Sequence, residues 1–251
     1  MTIPSESELL AAACHIGHKC EKWNPKMKPY LYSVQKGVHI FDLMQTRKKL
    51  EQACNEIMEL HRKGKSILFV STKLFSTAAL EDLGKTTGHP TVTKKWIPGL
   101  LTNWKTISRR IRYYLDLERQ FKTGEVEKYT KKEQLNLRKK LLKLERALSG
   151  VAGMTGLPDA LFVVDAVRDV ISVREANIAG IPVFGICDSN ADPDLFKVAI
   201  PANDDAAGSV MLILQTAKEA LMETPREAPA APQEVKKPQH NPDEPMILVG
   251  V

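Results

Sequence analysis

Short, unbroken apolar runs in this chain alternate with segments of helical period. Residues 66–71 (SILFVS) form one such run, which is short, rich in β-formers and preceded by Gly64. Residues 161–167 (LFVVDAV) and 183–187 (VFGIC) have the same character, and residues 91–93 and 197–200 add two shorter ones. Between them the periodicity predicts helices over 42–62, 75–83, 170–179 and 204–222. Asp42 is placed to cap the first. Asn203 is placed to cap the last, with Asp204 and Asp205 in its opening turn, where the helix dipole favours acids. A strand without polar alternation has no wet face, so the pattern predicts an α/β fold with a five-stranded, doubly wound parallel sheet covered by helices on both faces.

One region breaks the rhythm. Residues 103–149 show no strand pattern and contain a single interior turn glycine, Gly124. Ile107, Ile111, Tyr114 and Phe121 recur at helical spacing, as do Leu137, Leu141, Leu144 and Leu148. Thr130 and Glu133 make a capping box in TKKE. Two helices joined by KTGEVEKY predict an antiparallel, coiled-coil hairpin inserted in the sheet domain. Helices of about 20 residues would reach roughly 30 Å. The expected organisation is an α/β domain from residues 1–103 and 150–223, the hairpin at 104–149, and a disordered tail at 224–251 that holds six of the 15 prolines.

Charge is segregated along the chain. The net formal charge is +6, but the first 146 residues hold +14 and the remainder −8. The hairpin is crowded with Arg109, Arg110, Arg112, Arg119, Arg138, Lys139, Lys140, Lys143 and Arg146. Such a surface repels itself, and a polyanion relieves it. No apolar run approaches the roughly 20 residues of a membrane helix. The N-terminal MTIPSESELL has neither the basic nor the apolar region of a signal peptide. The four cysteines make no disulfide framework, so a reducing cytoplasm is expected.

Tests for catalytic chemistry fail. GKS at Gly64–Ser66 resembles the end of a phosphate loop, but Glu59 stands where glycine is required, and the motif precedes a strand instead of following one. No G-x-G-x-x-G occurs. DSNADPD, beginning at Asp188, has Pro193 and Ala199 where a calcium loop needs glycine and glutamate; its Asx residues suit turns, and a magnesium or ligand site there is the alternative. No nucleophile elbow is present. The remaining enzymatic alternative is an α/β enzyme acting on a nucleotide or phosphorylated substrate.

Cys14, His15, His18 and Cys20 have zinc-ligand chemistry. All four fall within seven residues, however, with no second pair nearby, so no metal site is expected. HIGH reads instead as a tight turn, with His15 and His18 hydrogen-bonded in place. The continuation KCEKWNPKMKPY interleaves Lys19, Lys22, Lys26 and Lys28 with Trp23, Asn24 and Tyr30. Pro25 and Pro29 stiffen that segment. KKWIPGLLTNWKT repeats the composition with Lys95, Trp96, Asn103, Trp104 and Lys105. Cations neutralise phosphates and aromatic rings stack on bases, so these two segments, with Arg109, Arg110, Arg112, Lys139 and Lys143 of the hairpin, are the expected RNA-binding residues.

These blocks carry a resemblance. HIGHKCEKWNPKMKPY, LLTNWKT, GLPDALFVVDAVRDVISVREANIAGIPVFGICDSNADPD and IPANDDA, in that order, resemble the family of the second protein of the small ribosomal subunit, of bacterial and organellar type. The resemblance runs from about Leu9 to Leu221. It implies a flavodoxin-like sheet with an inserted hairpin and a non-enzymatic role. It also implies binding to small-subunit ribosomal RNA at the junction of head and body, help in docking ribosomal protein one, and a place in the cytoplasm within that subunit. Neighbouring small-subunit proteins are the implied partners, with no cofactor, membrane or small-molecule substrate. His15, Gly17, His18, Trp23, Asn24, Pro25, Lys26 and Lys28 fall on the family's first signature. Thr102, Asn103, Trp104 and Lys105 fall on the second. Cys14 and Cys20 fall on neither.

Overall fold

The computed structural model describes residues 2–226. In chain order the elements are α1 (Glu6–Ala11), β1 (Ile16–Lys19), β2 (Leu31–Gln35), β3 (Val38–Phe41), α2 (Leu43–Arg62), β4 (Ile67–Val70), α3 (Thr77–Thr87), β5 (Thr91–Val92), α4 (Trp104–Thr123), α5 (Lys131–Leu148), β6 (Ala160–Val163), α6 (Val170–Ile178), β7 (Val183–Cys187), β8 (Val198–Pro201) and α7 (Ala207–Glu223). The tail expected at 224–251 lies outside the described residues beyond Arg226.

Strands β4 to β8 form one sheet in the order β5-β4-β6-β7-β8, with every pair parallel. The order reverses at β4, which pairs with β5 on one side and β6 on the other, as in flavodoxin-like folds. Each strand interior is fully buried, so alternate side chains feed two cores. Ile67, Phe69, Phe162, Phe184, Ile186, Val198 and Ile200 pack under α2, α3 and α7. Leu68, Val70, Leu161, Val163, Val183 and Cys187 face the other way, toward Ile107, Ile111 and Tyr114 of α4 and Val173 and Ala176 of α6. Register aligns Phe69 with Phe162 and Phe162 with Phe184, and the first two rings stand 5.3 Å apart. Gly185 is required at its position: its φ is 147°, and a Cβ there would lie 1.9 Å from the Val163 carbonyl oxygen.

The inserted helices α4 and α5 run antiparallel. Ile107, near the start of α4, and Leu148, at the end of α5, enter the same core, and Lys140 Nζ lies 4.6 Å from the centre of the Tyr113 ring. Thr130 and Glu133 form the expected capping box on α5. Asp42 caps α2 by accepting the Met44 amide.

Some local expectations are corrected. HIGH is not a turn: residues from Ile16 are strand β1, and the buried His15 Nδ1 has no hydrogen-bond partner. Residues 25–30 are a 3-10 segment, with Asn24 accepting the Lys26 amide. Helix α7 starts at Ala207, with Ala206 and not Asn203 at its cap. Asn203 Oδ1 instead accepts the Asp205 and Ala206 amides in the turn before it. The strand expected over 161–167 stops at Val163, because Asp165 accepts the Val167 and Arg168 amides and turns the chain.

The sequence reading also overlooked an antiparallel sheet, in the order β1-β3-β2. Its hairpin turn is Lys36–Gly37, with φ of 51° and 76°, as a two-residue turn of the right hand demands. This sheet hooks onto the carboxyl edge of the parallel one. The His18 amide donates to Ser189 Oγ at 2.8 Å, the Asn24 amide to the Ser189 carbonyl at 2.7 Å, and the Asn203 amide to the Cys14 carbonyl at 3.1 Å. Gly17 makes the close approach possible, since a Cβ there would meet Ser189 Oγ at 2.9 Å.

Candidate nucleic-acid interface

The hairpin's cations are mostly free of internal partners. Arg119 pairs with Asp116 and Glu125, each at 2.8 Å, and Lys122 pairs with Glu118 at 2.8 Å. Lys105, Arg109, Arg110, Arg112, Arg138, Lys139, Lys140, Lys143 and Arg146 are all exposed. Among the described residues none of these pairs with a carboxylate. Arg112 Nε donates to the Ser108 carbonyl at 3.4 Å, and Lys140 rests on Tyr113. A ridge of unpaired like charge on two packed helices is a stable presentation of positive potential. Asn103 stands exposed at the head of α4 and its side chain makes no cap bond.

The two basic segments differ in how much of their chemistry is available. Lys22 and Lys28 are exposed and lack ion pairs among the described residues. Lys26 is committed: its Nζ lies 2.8 Å from carboxylate oxygens of both Asp192 and Asp194, and those bonds hold its pKa above the ordinary value. Asp192 and Asp194 are two of the three acids of the DSNADPD loop, so that end of the loop serves as a counterion. Trp23 is half-buried, its ring 4.9 Å from the His39 ring. In the second segment Lys95, Asn103 and Lys105 are exposed and Trp104 is half-buried. Trp96 is corrected: it is 6 % exposed, lies in the core, and donates its Nε1–H to Glu175 at 2.9 Å. Its polar neighbours in sequence disguised a side chain that points into the sheet. Met27 and Trp96 join the same core half, so both segments are anchored on the sheet face that α4 covers.

The carboxyl edge of the sheet, where open α/β folds bind ligands, is closed by a polar knot. Lys73, 5 % exposed, reaches from the end of β4 to Asp165 Oδ2 at 2.9 Å and to Asp204 Oδ1 and Asp205 Oδ1, each at 2.8 Å. Burial opposes the ammonium, but bonds to Asp204, Asp205 and Asp165 outweigh it and raise its pKa. Burial, with Asp165 and Asp188 nearby, pushes Asp204 up to about 7. His18 Nδ1 faces Asp188 at 3.0 Å and its Nε2 faces Asp205 at 3.4 Å. The bond to Asp188 raises the His18 pKa against burial. Asp169 binds the Thr72 amide and hydroxyl. Acids outnumber cations at this edge, the β1-β3-β2 sheet is tied to it, and its lysine is already taken up by Asp165, Asp204 and Asp205, which disfavours a phosphate there.

His18, Asp204 and Asp205 offer ligand atoms that all lie within 4.8 Å of one another, a donor set with the chemistry for a divalent cation. Lys73 supplies positive charge at two of those acids. Cys14 and Cys20 take no part. Cys14 is buried, and burial raises its thiol pKa. No sequence signal links His18 or Lys73 to acids more than a hundred residues away.

Among the described residues, no helix is long and apolar enough to cross a membrane. Comparison with known proteins gives a consistent result. The sequence profile of the family described as Ribosomal protein S2 matches residues 9–224. Curated relatives share the name small ribosomal subunit protein uS2. The one from Nitratiruptor sp. is 44 % identical over 216 residues, covering 86 % of this chain and 81 % of that protein. The one from Fusobacterium nucleatum is 41 % identical over 224 residues, covering 89 % and 91 %. A uS2c protein of Guillardia theta is 40 % identical over 217 residues, covering 86 % and 92 %. With a family profile matched over residues 9–224 and relatives 40–44 % identical over most of the chain, the chain belongs to the ribosomal protein S2 family, whose role is structural and not enzymatic.

Proposed function

We propose that this protein is a constituent of the small ribosomal subunit in the cytoplasm that binds small-subunit ribosomal RNA. The observation that carries the reading is the set of exposed hairpin cations without carboxylate partners, from Lys105 to Arg146. Lys139 and Lys143 on α5 extend the ridge begun by Arg109, Arg110 and Arg112 on α4. Lys22 and Lys28, with Lys95, Asn103 and Lys105, supply further phosphate and base contacts where the two basic segments leave the core. Trp23 and Trp104, both half-buried, add aromatic surface there, while Trp96 acts from inside. Neighbouring ribosomal proteins, protein one among them, complete the set of partners. The apolar surface of Leu10, Ile16, Tyr32, Val34 and Met44, all exposed, supports a protein contact on the β1-β3-β2 side.

A salt titration of binding to small-subunit RNA tests this. The logarithm of affinity should fall linearly with the logarithm of salt, by about 0.7–0.9 per neutralised phosphate. Affinity that is flat in salt would refute it.

A further inference from the structure

The segment that joins the sheet to the hairpin is held by a single carboxylate. Glu175 on α6 is 7 % exposed. Its Oε1 accepts the Trp96 indole N–H at 2.9 Å and the Gly99 amide at 2.8 Å. Its Oε2 accepts the Leu101 amide at 3.1 Å, and the Thr102 amide and hydroxyl at 3.3 Å each. Five donors therefore come from seven consecutive residues, and no cation among the described residues pairs with this charge. Burial alone would raise its pKa, but the bonds from Trp96, Gly99, Leu101 and Thr102 outweigh it and lower it.

The arrangement has no role in covering the sheet. Val173 and Ala176, on the same helix, do that work. The carboxylate instead fixes a loop with little regular structure of its own. Gly99 sits at φ 89° to curve the chain round the acid, and Leu100 and Leu101 are buried beneath it. The residue after the last donor is Asn103, followed by Trp104 and Lys105 as the first residues of α4. The clamp ends one residue before α4 and, together with the packing of Ile107, Ile111 and Tyr114 on the sheet, sets the direction in which that helix leaves the body.

We propose that Glu175 is the positioning residue of the RNA-binding surface: its buried carboxylate orders residues 96–102 and so sets where Asn103, Lys105 and the hairpin ridge stand relative to the body. The proposal rests on the RNA-binding reading for its consequence, but not for its geometry. Glutamine cannot replace glutamate here, because its NH2 would face donors where an acceptor is needed. Leaving an amide unsatisfied in the core opens the segment.

The test compares the full chain with Glu175→Gln and with Val173→Ala, which loosens the same helix and the core around it but leaves the carboxylate and its five donors in place. Three quantities are measured on each: global stability, amide exchange at Gly99, Leu101 and Thr102, and affinity for small-subunit RNA as a function of salt. With Glu175→Gln, exchange at those three amides should rise at least tenfold above the level set by global unfolding. Affinity should fall about tenfold, and the salt slope should lose the contribution of one to two phosphates. Val173→Ala should lower stability with unchanged affinity and slope. Equal losses of affinity in the two variants, or wild-type exchange in Glu175→Gln, would overturn the proposal. If wild-type protein fails to bind RNA, the functional reading falls instead. The positioning role is then decided by the exchange data and by a spin-label distance from the hairpin tip to the body, which should broaden in Glu175→Gln alone.

Discussion

Acid should loosen this protein at a buried histidine pair. His89 is 3 % exposed, and its Nδ1 accepts the Ile67 amide at 3.3 Å at the start of β4. That bond places the ring proton on Nε2, which donates to His61 Nδ1 at 2.9 Å. Both rings are thus committed as neutral groups. Burial first, then Arg226 and the neighbouring His61, pushes His89 down to about 3, and burial also lowers His61. The sign follows directly. Between about pH 6.5 and about 3 the unfolded chain binds a proton at this position that the folded chain refuses, so stability falls as pH falls through that window. From pH 7 to pH 5, His89 alone should remove about 2 kcal/mol, a drop of roughly 4–8 °C in Tm for a domain of this size. The assay is urea unfolding at a series of pH values for wild type and for His89→Asn, whose Oδ1 can still accept the Ile67 amide. The variant will be less stable at pH 7, but its stability should depend on pH less steeply by about 2 kcal/mol across that range. Parallel curves would refute the assignment of the proton and of the neutral pair.

Three further outcomes are expected. Arg109→Gln/Arg110→Gln/Arg112→Gln together should weaken RNA binding more than about tenfold at low salt and reduce the salt slope by roughly two to three, since each cation stands for about one phosphate; an unchanged slope would place the RNA elsewhere. Lys26→Gln should change the slope less than Lys105→Gln, because Asp192 and Asp194 already balance Lys26, and the same titration compares the two. Lys73→Met should cost about 3–5 kcal/mol in denaturant unfolding, since it strands the buried Asp165 and Asp204 without their counterion. A loss below about 1 kcal/mol would mean that the carboxylates take up protons at no cost.

Much of the fold was legible because periodicity is local. SILFVS and VFGIC declare buried strands, and the 4-3-4 leucines of α5 declare a helix packed on one side. The β1-β3-β2 sheet was missed because its strands are short and half-exposed, although LYSVQ-KG-VHIF holds a hairpin signal in the Lys36–Gly37 turn. The basic ridge was readable from charge alone. Which aromatic rings reach the surface was not: Trp23 and Trp96 have similar polar neighbours, yet one is half-buried and the other lies in the core. Lys73 and Glu175 left no local signal, because the first takes its partners from the turns after β6 and β8, and the second holds a segment more than seventy residues away. Pairings of that kind belong to topology and cannot be read from spacing.

The central claim is that the unpaired cationic ridge seats this chain on small-subunit RNA. Its most direct test is sedimentation of the purified chain with small subunits stripped of their own copy of this protein, followed through a salt gradient. The account predicts stoichiometric association at low salt that is released cooperatively as salt rises, and association lost at lower salt when the hairpin arginines are neutralised. A chain that stays at the top of the gradient at low salt, or one whose association ignores the hairpin's charge, would contradict it.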